Sequence, residues 1–292
     1  MIFRNFGTTG LNVSAIGYGA GTIGDHQIPE KVAETMLNTV LDAGINLIDT
    51  ARGYGISEER IGKYISQRRN EFVLSTKVGY GIDGIPDWTY DCIIKGIEAA
   101  LQRLQTDYID IVHLHSCPIE ILQKGEVIDA LEKVRSDGKV RILAYSGEND
   151  ALKYAVQTQR FQSVMASLNI CDQRVIDHPL PAAKNQGMGF IAKRPVANAP
   201  WRFTQQPNGH YCEAYWLRWK KMGLQFDIGW QELALRFSAF RFGNDSCIVG
   251  TMNIDHLKEN IAIVEKGKLP EEIVFSCRNA FRQHDQQWIG QI

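Results

Sequence analysis

Two periods alternate along the 292-residue chain. From 30 to 42, Val32, Met36, Leu37, Val40 and Leu41 recur every three or four positions, the spacing of a helix with one buried face, and Ala43-Gly44 follows as a C-terminal stop. Residues 45–49 are then a short apolar run, as in a buried strand. The same alternation continues with helix 58–65, strand 72–77, helix 91–104, strand 108–115, helix 126–137 and strand 140–146. Helix 151–158, strand 163–169, helix 179–185 and strand 189–193 come next. After a polar, proline-containing insert at 198–210, aromatic-rich helices at 213–222 and 230–240 lead to strand 247–250 and helix 254–266. Ahead of all these, 2–6 and 11–13 flank Gly7-Thr8-Thr9-Gly10 and predict a hairpin that plugs or covers the fold, and 15–19 is a first core strand. Eight strands alternating with helices over about 250 residues predict a (β/α)8 TIM barrel rather than a doubly wound sheet. A helix at 271–286 is added after the eighth unit, expected to cross one end. No linker or low-complexity tract interrupts the chain, so one domain is expected.

Composition narrows the class. Hydrophobic residues make up 44% of the chain and the formal net charge is −1, enough apolar surface for a large core and no basic field for nucleic acid or acidic lipid. No apolar run approaches the roughly 20 residues that span a bilayer, and 1–14 lacks the apolar core of a secretory signal. A soluble cytoplasmic protein is expected. Cys92, Cys117, Cys171, Cys212, Cys247 and Cys277 are widely spaced, without metal-type clustering, and are read as free, inert thiols; no metal is expected. Gly19-Ala20-Gly21-Thr22 is glycine-rich, but its spacing is not that of a dinucleotide turn.

The chemistry gathers at strand ends. Strand 45–49 ends in Asp49, strand 72–77 in Lys77 and strand 108–115 in His115. Alternation puts Ile45, Leu47 and Asp49 on one face, likewise Val73, Ser75 and Lys77, and likewise Ile109, Ile111, His113 and His115. If the apolar members line the barrel, all three ionisable ends meet in its mouth, where barrels of this kind keep their chemistry. His113 lies a layer deeper and is read as a core histidine. Tyr54 sits on the loop after Asp49, ahead of a helix for which Ser57 is the expected N-cap. An ammonium near a phenol favours the phenolate, an acid keeps that ammonium charged, and an imidazole can bind a substrate oxygen. Such a group suits protonation of a carbonyl oxygen while something else attacks its carbon.

The strings DTARGYGISEERIG (49–62), STKVG (75–79), DYIDIVHLH (107–115), GKVRILAYSG (138–147) and GTMNIDHLKEN (250–260) resemble the aldo-keto reductase superfamily, over nearly the whole span 3–260. The resemblance implies hydride transfer between a nicotinamide cofactor and an aldehyde or ketone. It implies Tyr54 as general acid, Lys77 as the group that eases its proton release, Asp49 as the lysine's partner and His115 as orienter of the carbonyl.

The resemblance also implies a cofactor site, with departures. Ser146 and Asn169 match family positions, but Gly147 stands where Asn is usual and Met165 where Gln is usual; Glu148, Asn149 or the Gly147 backbone are the available substitutes for holding the nicotinamide amide. Lys193-Arg194 occupies the aromatic stacking position, and a guanidinium can both stack and pair with phosphate. Gly250-Thr251 opens a loop into helix 254–266, whose N-terminal N–H groups can meet a phosphate; His256, Glu259 and Asn260 follow. NADP(H) is expected over NAD(H). Tyr80, Trp88, Trp201 and Phe203 are candidate walls of a substrate pocket. The expected partner is a small-molecule carbonyl or alcohol, with no nucleic acid and no membrane. Two other readings are a nicotinamide-binding sensor with little turnover, favoured by Gly147 and Met165, and a lyase using Lys77 as Schiff-base nucleophile.

Overall fold

The computed structural model describes residues 1–291. β1 (Phe3–Asn5) and β2 (Asn12–Ser14) form an antiparallel hairpin, and β3 (Ile16–Gly19) begins the barrel. There follow α1 (Glu30–Asp42), β4 (Leu47–Asp49), α2 (Ser57–Ile65), β5 (Val73–Val78), α3 (Tyr90–Leu104), β6 (Ile109–His115), α4 (Ile119–Lys124), α5 (Glu126–Ser136), β7 (Val140–Ser146), α6 (Asn149–Gln157) and β8 (Ser163–Ser167). The chain continues through α7 (Arg174–Asp177), α8 (Pro179–Asn185), β9 (Gly189–Lys193), α9 (Glu213–Met222), α10 (Trp230–Ala239), β10 (Ser246–Val249), α11 (Ile254–Glu265) and α12 (Glu271–His284). The eight parallel strands β3 to β10 pair in chain order and β10 closes back on β3, so the expected barrel, hairpin and added helix are all present.

Apolar side chains fill two regions. Leu47, Val73, Ile111, Ile142, Ala144, Met165 and Ile191 pack inside the barrel together with Phe6 and Val13 of the hairpin. The hairpin therefore plugs the N-terminal ends of the strands. A larger cluster joins the outer strand faces to the helices, where the three- and four-residue spacing of α1 and α3 finds its partner. Ile45 and Ile109, expected inside, pack in that larger cluster instead: Ile45 precedes β4, so strand alternation does not reach it, and Ile109 opens β6 beside Val140, which packs in the same outer cluster. Parallel register sets Asp49 beside Ser75, Lys77 beside His113 and His115 beside Ser146. All these polar residues consequently sit toward one end.

Two short helices, α4 and α7, were not expected. α4 is bracketed by Pro118 and by Gly125 at φ +83°, a Pro-before, Gly-after pattern that does mark a helix. Ser57 is not the N-cap of α2; it lies inside the helix, where its hydroxyl donates to the Ala20 carbonyl at 2.7 Å and accepts from Thr50 at 2.8 Å. A tertiary bond between loops has taken the hydroxyl that local capping would use. Among the described residues no helix is long and apolar enough to cross a membrane.

Candidate active site

Tyr54 reaches the barrel mouth because two loops touch backbone to backbone. Gly55 has φ +55°, and a Cβ on Gly24 would lie 1.6 Å from the Tyr54 carbonyl oxygen. Ile56 N–H donates to the Gly24 carbonyl at 3.0 Å. Arg60 of α2 then ties the loop after β3 by donating to the carbonyls of Ile23, Asp25 and Ile28.

Beneath the Tyr54 ring lies a buried ion pair. Lys77 Nζ is 2.5 Å from Asp49 Oδ2, donates to the Thr50 carbonyl at 2.8 Å, and stands 4.7 Å from the centre of the Tyr54 ring. Burial by itself pushes the ammonium toward its neutral form, but the attraction of Asp49 and Tyr54 outweighs it, and the Lys77 pKa ends above its ordinary value. The lysine is charged at neutral pH. The other carboxylate oxygen of Asp49 accepts from Ser75 Oγ at 2.8 Å, and Ser75 in turn meets His113 Nε2 at 3.2 Å. His113 is fully buried, and burial first, then Lys77, holds its pKa well below the usual value. It is a neutral brace of the Ser75–Asp49–Lys77 chain. Ser75 was placed on the correct face by alternation, but nothing local in the sequence marked its bond to Asp49.

His115 lies edge-on to Tyr54, ring centres 5.8 Å apart. Burial, followed by the charges of Lys77 and Lys193, pushes its pKa down to about 3. Its Nδ1 lies 2.7 Å from the Tyr80 hydroxyl, and the two rings stack at 5.6 Å.

Asp49, Tyr54, Lys77 and His115 all line one cavity of about 710 Å3, within the range of small-molecule sites. Of the candidate cofactor residues, Ser146, Lys193, Arg194, Gly250, Thr251, His256, Glu259 and Asn260 line it too, whereas Gly147 and Asn169 do not. A Cβ on Gly147 would lie 2.4 Å from the Tyr145 hydroxyl, so a side chain at this position would need the Tyr145 ring to move. The three substitutes are also occupied: Gly147 N–H donates to the Met165 carbonyl, Asn149 exchanges two bonds with the Gly290 backbone, and Glu148 accepts from Ser167 N–H at 2.8 Å and lies 3.2 Å from Lys193 Nζ. What remains is the Ser146 hydroxyl, buried and, among the described residues, without a hydrogen-bond partner, on a residue that lines the cavity as Lys193 does.

Asn169 acts one step back from the cavity. Its amide donates to the Arg194 carbonyl at 3.0 Å, bracing a loop in which Arg194, Ala197, Asn198 and Ala199 all have φ between 49° and 59°, a left-handed conformation costly for residues other than glycine. Such strain collects at functional sites. The Arg194 guanidinium bonds Ser167 Oγ and the Gln291 carbonyl of the C-terminal tail. At the start of α11, Asn253 Oδ1 accepts from Asp255 N–H and His256 N–H. Two of the helix N–H groups expected for a phosphate are thus taken by the chain's own cap. Arg202 and Tyr211, which no motif marked, line the cavity. Of the four candidate wall residues, Trp88 packs on Tyr80, Trp201 stacks on Trp230 and Phe203 packs at a tilt against His210; none of these three, nor Tyr80, lines the cavity itself.

The sequence profile of the Aldo/keto reductase family matches residues 15–280. The chain belongs to that family. The holo form of an aldo-keto reductase from Bacillus halodurans superposes with a TM-score of 0.83 at 29% identity, over 96% of each chain. L-galactose dehydrogenase of Arabidopsis thaliana is 28% identical over 290 residues, covering 89% of this chain and 87% of its own. D-threo-aldose 1-dehydrogenase of a Pseudomonas species is 31% identical over 216 residues, covering 63% and 66%. The family assignment makes the chain a carbonyl-reducing oxidoreductase, of a family that uses nicotinamide cofactors.

Proposed function

We propose that this protein interconverts an aldehyde or ketone and the corresponding alcohol with NADP(H), using Tyr54 as general acid in the reducing direction. The observation that carries the reading is the buried Lys77–Asp49 pair under the Tyr54 ring, on the wall of a cavity that His115 shares. A bound nicotinamide supplies the hydride. His115 holds the carbonyl oxygen, Tyr54 gives that oxygen its phenolic proton, and the Lys77 ammonium stabilises the phenolate left behind. Asp49 keeps Lys77 charged and aimed. A charged lysine with a raised pKa is a poor amine nucleophile, which argues against the Schiff-base lyase.

Ser146 and Lys193 are our candidates for the nicotinamide amide, and Arg194, Arg202 and His256 for the phosphates, with Glu259 and Asn260 on the adenine side. The buried, unpartnered Ser146 hydroxyl supports this fit, since such a group costs free energy unless a ligand meets it. The cations at the cavity favour NADP(H). The names of the two dehydrogenase relatives make aldoses the first substrates to test.

Consumption of NADPH with a panel of aldoses, aldehydes and ketones tests the activity directly. Tyr54→Phe is expected to lower kcat about 100-fold or more with NADPH binding retained. A variant within tenfold of wild type would remove Tyr54 from its role, and complete inactivity of the wild type with bound NADPH would favour the sensor reading. A lower KM for NADH than for NADPH would defeat the cofactor preference.

A further inference from the structure

The loop after β5 carries Tyr80 back over Gly53, where a Cβ would lie 2.8 Å from the phenol oxygen. That clearance lets the ring stack on His115 and puts its hydroxyl 2.7 Å from Nδ1. Among the described residues, Nδ1 is the one hydrogen-bond partner of the Tyr80 hydroxyl, and no protein group bonds His115 Nε2, on a ring that lines the cavity. Two arrangements fit such a pair. Either the phenol donates to a bare Nδ1, leaving the hydrogen on Nε2, or Nδ1–H donates to the phenol oxygen, leaving Nε2 bare.

Acid–base chemistry separates them. His115 is neutral, so it carries one ring hydrogen. Tyr80 keeps its proton, because burial first, and then the nearby Tyr54, raise its pKa above the ordinary value. A phenol is a far stronger acid than a neutral imidazole, and an imidazole nitrogen a far better acceptor than a phenol oxygen. The stronger donor therefore faces the stronger acceptor when Tyr80 donates. In a histidine, the bond made by one ring nitrogen decides what the other presents.

We propose that Tyr80 is a positioning residue: by donating to His115 Nδ1 it fixes the tautomer whose Nε2–H points into the cavity to bind the substrate oxygen. This deepens the reductase reading and rests on it only for the identity of what Nε2–H meets. An acceptor oxygen is thereby required of the ligand at that spot, so a carbonyl or alkoxide is held where an ammonium or another N–H donor is refused. Because the oxygen gains negative charge as the reaction proceeds, the contact strengthens in the transition state.

The test is the 15N spectrum of the histidine rings in the full-length protein without ligand, with His115→Asn to assign the resonances. Wild type is expected to show a bare, pyridine-type Nδ1 and a protonated Nε2 at His115. Tyr80→Phe keeps the stack but loses the donor, and is expected to shift His115 toward the other tautomer or a mixture. It should lower kcat about three- to tenfold, the scale of one neutral hydrogen bond, with a smaller change in KM. A protonated Nδ1 in wild type, or a Tyr80→Phe spectrum unchanged from wild type, overturns the proposal. Should Tyr80→Phe not fold, the wild-type spectrum still decides who donates. Since the spectrum needs no turnover, a protein with the expected tautomer that reduces no carbonyl would sink the reductase reading and leave the Tyr80–His115 assignment standing.

Discussion

Burial and neighbouring charge decide the ionisation of single residues at this site, and one of them links stability to pH. An imidazole in the unfolded chain titrates near 6.5, whereas His115 in the cavity is pushed down to about 3 by burial and by Lys77 and Lys193. With its folded pKa depressed, His115 contributes stability that is fully present above about pH 6.5 and is lost as pH falls toward 3, because the unfolded chain takes a proton the native cavity refuses. Replacing His115 with Asn removes that dependence. In urea titrations the wild type should lose ground to His115→Asn by up to about 1.4 kcal/mol per pH unit between about pH 6 and 4, and a pH-independent difference would contradict a neutral native histidine. Comparison by difference cancels Asp172, whose pKa burial and Glu148 raise, so that its effect on stability runs the opposite way. Asp49, Lys77 and His115 were legible residue by residue, because strand alternation fixes the face and the strand end fixes the height. The bond from Ser75 to Asp49 was not, since one side-chain hydroxyl on a strand looks like any other until its neighbour is placed.

Among the elements, the loops after β3, β4 and β9 shape the cavity, and they do so by backbone approach and backbone strain. A methyl group on Gly24 would overlap the Tyr54 carbonyl, so Gly24→Ala must displace the very loop that presents the phenol. The expected result is a stability loss on the order of 1–3 kcal/mol with turnover falling at least tenfold relative to wild type, read by thermal melts and NADPH consumption. The loop after β9 offers the opposite sign. Ala199 sits at φ +52°, where glycine carries no steric penalty, and Ala199→Gly should raise stability by up to about 1 kcal/mol; a destabilised variant would show that the left-handed turn is not strained. Helices and strands were readable from periodicity. The strained loop after β9 was not, because Ala197-Asn198-Ala199 carries no glycine to announce its left-handed backbone, and Gly147 gave no sign of the Tyr145 ring that crosses it.

Across the whole molecule, the C-terminal tail ties the far end of the chain to the cavity. Arg218 donates to the Ile289 carbonyl, Asn149 brackets Gly290, and Arg194 holds the Gln291 carbonyl. A cofactor that binds only the folded state stabilises it. NADPH at about 100 times its Kd adds roughly 2.7 kcal/mol, a rise of several degrees in Tm for a chain of this size. The rise should be larger with NADPH than with NADH at equal concentration, and equal rises would count against Arg194, Arg202 and His256 as a phosphate grip.

The order of the strands and of the longer helices, the inward face of β4, β5 and β6 near the mouth, and the height of Asp49, Lys77 and His115 follow from the chain alone, since hydrophobic period is a local property and parallel strands in sequence order leave little choice of neighbour. Contacts between segments far apart in sequence had to wait for tertiary structure: the tail carbonyl at Arg194, the aromatic residues turned from the cavity, and Tyr80 donating to His115. In each of these, two groups compete for one partner, and only their positions in space determine which one takes it.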